Sequence, residues 1–525
     1  MDNFNNMYMF KNPIRHFLNL DKIDFTDSED VSFQELCWTN PVKFRIFKTI
    51  DTQRNISLPN ILNYYHAIKA FSGEKNFTTI KETASKKRVS PDLQTGDFSA
   101  FSYYNAIQND AYNLTKYDVL MVLDIKSFYG RIYTHDLGYE PDSQLERRVT
   151  SLNAGRTNGL LLGPYLSLFL AENLLAKIEK ELDRELKAKT IKCHYEYFSD
   201  DFYVFCNKVD IDVIRTCFVK VFDMFDLQIN EEKTKFFDYE EYLENNSLEK
   251  QWKKIIRLSL IRDREIHAKK KRKKEYFGHP VFFTQLVYRL NKIKEIKYRR
   301  IFLVNFFKTY YFYNLKESDY TLSRSDMNNI CYIYKTMPET MLYSLFKIKN
   351  MDGFDCGAFK DFLESRYIST LNTNKNEEQV YFYYAIKLCG FISILKRQKN
   401  KVIASANQVL ISYYLLDGII SKEEYKAFLK SPKEEEWLQN YHYVLVYEPQ
   451  NIELLLPKFA KKQKQKDAYY RFYEENIKQS IPIVRPVEMI AAEIENYLDK
   501  KIKTYFQQDN QIDVDEGDLD YITIV

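Results

Sequence analysis

Two rhythms of apolar residues divide the chain. Up to about residue 240, short β-branched and aromatic runs alternate with stripes of helical period. YDVLMVLDI (117–125) predicts a buried strand from its Val, Leu, Met and Ile content. After Pro164, a residue suited to the first turn of a helix, Leu166, Leu170, Leu174, Ile178, Leu182 and Leu186 recur at every fourth position. That stripe predicts one long amphipathic helix. HYEYFSDDFYVFC (194–206) predicts strand, tight turn, strand, with Ser199, Asp200 and Asp201 interrupting the run. IDVIRTCFVKVFDMF (211–225) predicts a helix, and LQINEEKTKFFDY (227–239) a strand with a polar interruption. Strand, helix, hairpin, helix and strand make an α+β layer with helices on one face of a small sheet.

From about residue 245 the strand signals fade. Helix starts replace them: Asn376 followed three residues later by Gln379, a capping box at Ser421–Glu424, and Ser431-Pro432-Lys-Glu434. Val380, Tyr384, Leu388, Phe391 and Leu395 predict one buried face. Only 13 Gly and 13 Pro in 525 residues favour long helices with short connections, so the second half is expected to be a solenoid-like helical array. The expected organisation is an α+β region over 1–250, a basic connecting segment over 251–275, and an all-α region over 276–525. The connecting segment carries KKKRKK, and the chain closes on an acidic stretch at 509–520.

Composition narrows the class. The formal net charge of +4 is too small to name a partner. There is no run of 18 apolar residues, and MDNFNNMYMFKNP lacks the apolar core of a signal peptide. No membrane partner and a cytoplasmic location are therefore expected. Seven cysteines without a C-x-x-C pair argue against a disulfide framework and structural zinc.

The chemistry lies in three acids. Asp124 ends a buried apolar run, where an ionised carboxylate is costly unless paired, hydrogen-bonded or metal-bound. Asp200 and Asp201 repel each other unless water or a cation intervenes. A strand-end aspartate followed by an Asp-Asp hairpin tip is how palm-type polymerases hold two Mg²⁺ ions. Mg²⁺ takes oxygen ligands and leaves positions for water and substrate phosphate.

At these motifs the chain resembles the reverse transcriptases. LDIKSFYGRI is similar to the first palm motif, GLLLGPYLS (159–167) to the glycine-rich second, FSDDFYVF to the third, and LQINEEKTK to the fourth, with Asn230, Lys233 and Thr234. KKRVSPDL (86–93) resembles the fingers strand whose basic side chains meet a triphosphate. The resemblance covers roughly residues 80–240 and implies fingers and palm within 1–250. It implies Asp124, Asp200 and Asp201 as catalytic metal ligands for two Mg²⁺, with Mn²⁺ as a substitute and the Ile125 carbonyl as an extra ligand. Tyr129 falls where the family places a ring that excludes a ribose 2′-hydroxyl. Gly159 and Gly163 would admit the nascent base pair, Lys233 would protonate pyrophosphate, and Arg88 would bind the triphosphate.

The departures matter as well. Leu161-Leu162 stands where bacterial members carry Pro-Gln, and no primer-grip turn or ordinary thumb follows Lys235. A helical half in place of a thumb is similar to the abortive-infection group of bacterial reverse transcriptases. That resemblance implies anti-phage defence, untemplated synthesis from dNTPs, a single-stranded DNA product attached to a tyrosine, and a homo-oligomer. Tyr8, in a segment with no evident element, is the candidate priming hydroxyl. Two alternatives stand beside this reading: a templated, retron-like RNA-directed DNA polymerase, and a non-catalytic scaffold gripping nucleic acid through KKKRKK and KYRR (297–300).

Overall fold

Long helices and one small antiparallel sheet make up the chain. The computed structural model describes residues 4–9, 12–48, 52–72, 86–89, 91–92, 97–98, 100–137, 144–245, 282–293, 296–308, 312, 321–429 and 436–509. Two compact units emerge: residues 1–44, 55–243 and 415–484 form the first, and 45–54, 244–414 and 485–525 the second. The basic segment 251–275, the Ser431–Glu434 helix start and the acidic stretch beyond Asp509 lie outside the described residues.

The first unit begins with α1 (Phe4–Tyr8) and the β1–β2 hairpin (Val42–Phe47, Gln53–Leu58), followed by α2 (Ile61–Phe71). The two-residue strands β3 (Pro91–Asp92) and β4 (Asp97–Phe98) precede α3 (Ala100–Leu114). Then come β5 (Val119–Asp124), α4 (Phe128–Arg131), α5 (Leu145–Ser151), α6 (Tyr165–Ala188), β6 (His194–Phe198) and β7 (Asp201–Cys206). α7 (Ile211–Asp223), β8 (Lys235–Phe237) and α8 (Tyr239–Asn245) complete this stretch. The four-stranded sheet has the order β6-β7-β5-β8 and is antiparallel throughout.

Side-chain alternation gives this sheet two unlike faces. Met121, Leu123, Tyr195, Tyr197, Phe202 and Val204 form one, all at most 2% exposed. Behind them, Phe218 and Phe222 of α7 meet Phe202 edge-on, and the Tyr195 hydroxyl donates to Asp183 of α6 at 2.8 Å. The predicted stripe from Leu166 to Leu186 is buried along α6, which begins one residue after Pro164. Burying each such aliphatic side chain contributes about 1.5–3 kcal/mol, which explains why the periodicity was so legible. Leu120, Val122 and Asp124 face the other way, opposite Phe205, Tyr203 and Asp201 in register. Leu114 of α3 and Tyr242 of α8 pack on Leu120 and Phe205, covering the far half of this face.

The division of the chain differs from the expected 1–250 and 276–525 split. Helices within 415–484 belong to the first unit because their polar side chains bond to its N-terminal residues. The Tyr469 hydroxyl donates to Asn63 Oδ1 at 2.5 Å, Asn60 Nδ2 donates to the Tyr473 hydroxyl at 2.8 Å, and the Asp24 N–H donates to Asn476 Oδ1 at 2.8 Å. These pairs are more than 400 residues apart in sequence, so no local pattern announces them.

The second unit is helical, as expected, apart from the tip of the β1–β2 hairpin. Its centre is the helix Asn376–Leu388, buried on every side from Asn376 to Ile386. The single buried face expected there is therefore a correction. The helix stops at Leu388, and Phe391 and Leu395 belong to the next turn and helix. Asn376 does not cap it either; its Oδ1 accepts the Arg45 N–H at 3.1 Å while Lys375 holds the cap position. The Ser421 box forms as predicted, Ser421 accepting from the Glu424 N–H and Glu424 from the Ser421 N–H.

Candidate active site

Asp124 closes β5 and Asp201 opens β7, and the two are directly paired in register. Asp200 precedes Asp201 at the hairpin tip, where Ser199 takes a left-handed φ of 54°. Ser127, three residues after Asp124, shares that φ of 54°. A non-glycine residue held there costs about 1–2 kcal/mol, so both chain reversals beside the acids are locally strained. The Ile125 N–H donates to the Asp200 carbonyl at 3.0 Å, tying the strand end to the turn. On its other edge, the Asn230 N–H donates to the Asp124 carbonyl at 2.8 Å and Ile125 bridges Ile229. The Ile125 N–H points toward the hairpin tip, and in a strand the carbonyl of the same residue shares that side.

The Asp124 carboxylate is nearly enclosed, its side chain 9% exposed. Asn230 Nδ2 donates to Oδ1 at 2.9 Å, and Lys233 Nζ donates to Oδ2 at 2.7 Å. Both come from the turn before β8, whose short helix Glu231–Lys233 aims Lys233 back over the strand end. Among the described residues, no three His, Cys, Asp or Glu side chains are gathered into a metal-holding group. Backbone register sets Asp124 opposite Asp201 with Asp200 next in the chain, but the three carboxylates are not gathered, and Lys233 supplies the positive charge on Asp124. The donor set, carboxylates plus a carbonyl, is the kind a hard divalent cation takes. Like charges opposed across two strands repel, which a cation between Asp124 and Asp201 would relieve. Lys233 is half-exposed at 51%, and a bridge open to solvent on one side is worth only about 1 kcal/mol. A divalent ion at Asp124 would have to displace Lys233, whose half-exposed ammonium can turn to solvent.

The glycine-rich turn lies against α4. The Leu160 N–H donates to the Tyr129 carbonyl at 2.8 Å, and the Gly159 N–H to the Ile132 carbonyl at 3.0 Å. A Cβ on Gly159, whose φ is +88°, would sit 3.3 Å from the Gly130 carbonyl oxygen, so the close approach here is between two motifs of the chain. Tyr129 is half-buried, its ring 5.5 Å from that of Phe128. At Gly163, φ +113°, a Cβ would meet the Met9 sulfur at 2.8 Å and Ile56 at 3.3 Å. The space expected to admit a base pair at Gly163 is filled by the protein's own N-terminal segment.

Two expectations are corrected. Arg88 is not open to a triphosphate. Its side chain is 4% exposed, its guanidinium donates to both Asp110 oxygens and to Glu196, and it lies 4.1 Å from the centre of the Tyr203 ring. Its segment extends the sheet instead: the Arg88 N–H donates to the Tyr197 carbonyl at 2.9 Å. Neighbouring Lys87 is buried with Glu172 of α6. Tyr8 likewise is not in a structureless segment. It ends α1, is 1% exposed, and its hydroxyl donates to the Pro59 carbonyl at 2.5 Å. Burial raises its pKa well above that of a free phenol, with Tyr64 and Tyr473 adding to the shift. Aromatic packing won over weak helix propensity: the Tyr8 and Tyr64 rings meet edge-on at 5.1 Å.

One residue was named without a role and one was missed. Asn230 stood in the fourth motif, three residues before Lys233, with no contact assigned to it. Asp110, which accepts from Arg88 and from the Tyr242 hydroxyl at 2.6 Å, had no signal, because one acid in a helix looks like any other.

No helix among the described residues is long and apolar enough to cross a membrane. No protein-family model matches the chain, and no curated protein matches it. Among solved structures, it is similar to apo telomerase from Candida tropicalis, at 12% identity and TM-score 0.29, over 76% of this chain and 69% of that one. It is also similar to telomerase from Candida albicans in complex with the TWJ fragment of telomeric RNA, at 10% identity and TM-score 0.29, over 71% of this chain and 63% of that one. The chain thus spans about two thirds of their length. At these scores the likeness adds nothing to the geometry, which stands on its own residues.

Proposed function

We propose that the first unit is a polymerase palm of reverse-transcriptase type that adds deoxynucleotides at Asp124, Asp200 and Asp201. One observation carries this reading: Asp124 and Asp201 are opposed in register beside the strained Ser199-Asp200 turn, at one end of an antiparallel sheet backed by two helices. A structural role alone would not put paired acids there, because opposed carboxylates destabilise a strand pair.

Asp124, Asp200, Asp201 and the Ile125 carbonyl would hold Mg²⁺, which when bound supplies activation of the attacking hydroxyl and neutralisation of the leaving pyrophosphate. Asn230 fixes the Asp124 carboxylate, so its orientation is preset. Lys233, which donates to Asp124 beside the site, would be the proton donor for the departing pyrophosphate. Tyr129 would exclude the 2′-hydroxyl by collision. Following the resemblance to the abortive-infection group, synthesis is untemplated and starts on a protein hydroxyl. The same resemblance supports a single-stranded DNA product bound to the chain, homo-oligomeric assembly and anti-phage defence.

The test is incorporation of labelled dNTPs with Mg²⁺ and no added primer or template. Parent protein should gain label that stays with it on a denaturing gel, and Asp124→Ala and Asp200→Ala should gain none. Either variant polymerising at near the parent rate would overturn the palm assignment. Label that leaves the protein under denaturation would overturn self-priming alone.

A further inference from the structure

Trp38 is 51% exposed, unusual for a residue that normally hides most of its surface. It is nonetheless held firmly. The Cys37 N–H donates to the Tyr469 hydroxyl at 3.3 Å and the Thr39 N–H to the Ser151 carbonyl at 2.9 Å, fixing the backbone on both sides. The indole lies against Gly155, φ +77°, where a Cβ would come within 2.8 Å of the ring. Only glycine permits that contact, so the ring is seated with much of its surface toward solvent. Phe459, 37% exposed, meets it edge-on at 5.9 Å.

Phe459 belongs to KFAKKQKQK (458–466), which holds Lys458, Lys461, Lys462, Lys464 and Lys466 and no acid. All five lysines are exposed, and none forms a salt bridge among the described residues. Gln465 anchors this segment beside Trp38: its Oε1 accepts the N–H groups of Lys461 and Lys462 at 3.0 and 3.1 Å, and its Nε2 donates to the Leu36 carbonyl at 3.2 Å. Of the adjacent acids, Glu35 accepts from Ser32 and also lies within electrostatic reach of Lys464, and Asp467 accepts from Gln463. A merely solvated helix end would explain the lysines but not two exposed rings built among them.

We infer that Trp38 and Phe459, with the lysines of 458–466, form a second nucleic-acid site that holds single-stranded DNA. Exposed rings offer a stacking surface that any base can use, and ammonium groups track the phosphates. A duplex keeps its bases stacked on one another, so a ring platform selects single strands. The choice of DNA over RNA rests on the polymerase reading above; the binding surface does not.

The experiment measures binding of a labelled oligothymidine to the full chain by fluorescence anisotropy across a salt series. Trp38→Ala should weaken binding by about 5- to 100-fold. Lys461→Glu with Lys464→Glu, surface changes that leave packing intact, should flatten the salt dependence by about 1.4 in log–log slope. Quenching of Trp38 emission by the oligonucleotide, absent in Trp38→Phe, would place the base on that ring. Parent-like affinity in both the Trp38→Ala and double-lysine variants would overturn the site, as would binding of anionic vesicles without binding of the oligonucleotide. Tighter binding of oligouridine would overturn the assignment to DNA. Absence of incorporation by the parent, with oligonucleotide binding retained, would refute the palm and leave this site standing.

Discussion

Replacing Asp110 by Asn decides between two roles for Arg88. Asp110 is 1% exposed, and it is the anion on which three donors converge: two guanidinium nitrogens of Arg88 and the Tyr242 hydroxyl. Asn keeps the shape and an acceptor but removes the charge, leaving a guanidinium with a 4% exposed side chain and, among the described residues, Glu196 at 3.4 Å as its remaining ion-pair partner. Breaking a buried pair from one side costs about 3–5 kcal/mol. At a urea dependence of about 2–3 kcal/mol/M, the unfolding midpoint of the first unit should fall by roughly 1–2.5 M. Removing both charges with Arg88→Met and Asp110→Leu together should restore most of that loss, since apolar replacement of a whole buried pair is often neutral. Because a two-unit chain need not unfold in one step, hydrogen exchange across α3, β5 and α8 should accompany the urea titration. A parent-like midpoint in Asp110→Asn, with a raised KM for dNTPs in Arg88→Ala, would refute the structural role and return Arg88 to the triphosphate.

His442 should make the first unit acid-sensitive. Its Nε2 accepts the Val484 N–H at 3.2 Å, so Nδ1 is the nitrogen that carries the proton, toward the Leu438 carbonyl at 2.8 Å. Burial pushes its pKa from 6.5 down to about 4, against the opposing pull of the Leu438 bond. The folded pKa lies below the unfolded one, so this stability is complete above pH 6.5 and is lost as pH falls toward 4, about 3 kcal/mol in all. Urea midpoints of parent and His442→Gln between pH 7 and 4 should converge, and parallel curves would refute it. Tyr8→Phe should cost about 1 kcal/mol from the lost bond to Pro59 and leave any protein-bound label in place. Loss of that label on a denaturing gel would restore Tyr8 as the primer. Tyr129→Ala should raise ribonucleotide use by about 10- to 100-fold relative to dNTPs in competition assays, and unchanged discrimination would remove Tyr129 from the nucleotide site.

The sequence alone determined the elements whose signal is local. The stripe from Leu166 to Leu186 repeats with the helix, and the HYEYF and DFYVFC runs flank an Ser-Asp turn, so α6, β6 and β7 were readable, as was β5 ending at Asp124. The resemblance implied that Asp124, Asp200 and Asp201 share a site, and the register that sets Asp124 opposite Asp201 came with the structure. Tertiary structure decided what depended on distant partners. Arg88 reads as a free cation until Asp110 and Glu196 surround it, and Tyr8 reads as mobile until Tyr64 and Pro59 receive it. Residues 415–484 read as part of the helical half until Tyr469, Tyr473 and Asn476 find Asn63, Asn60 and Asp24. Periodicity records which face of an element is buried, because burial acts on each residue in turn. It carries no record of what buries that face, since a hydrogen bond or ion pair across 400 residues needs only one side chain at each end.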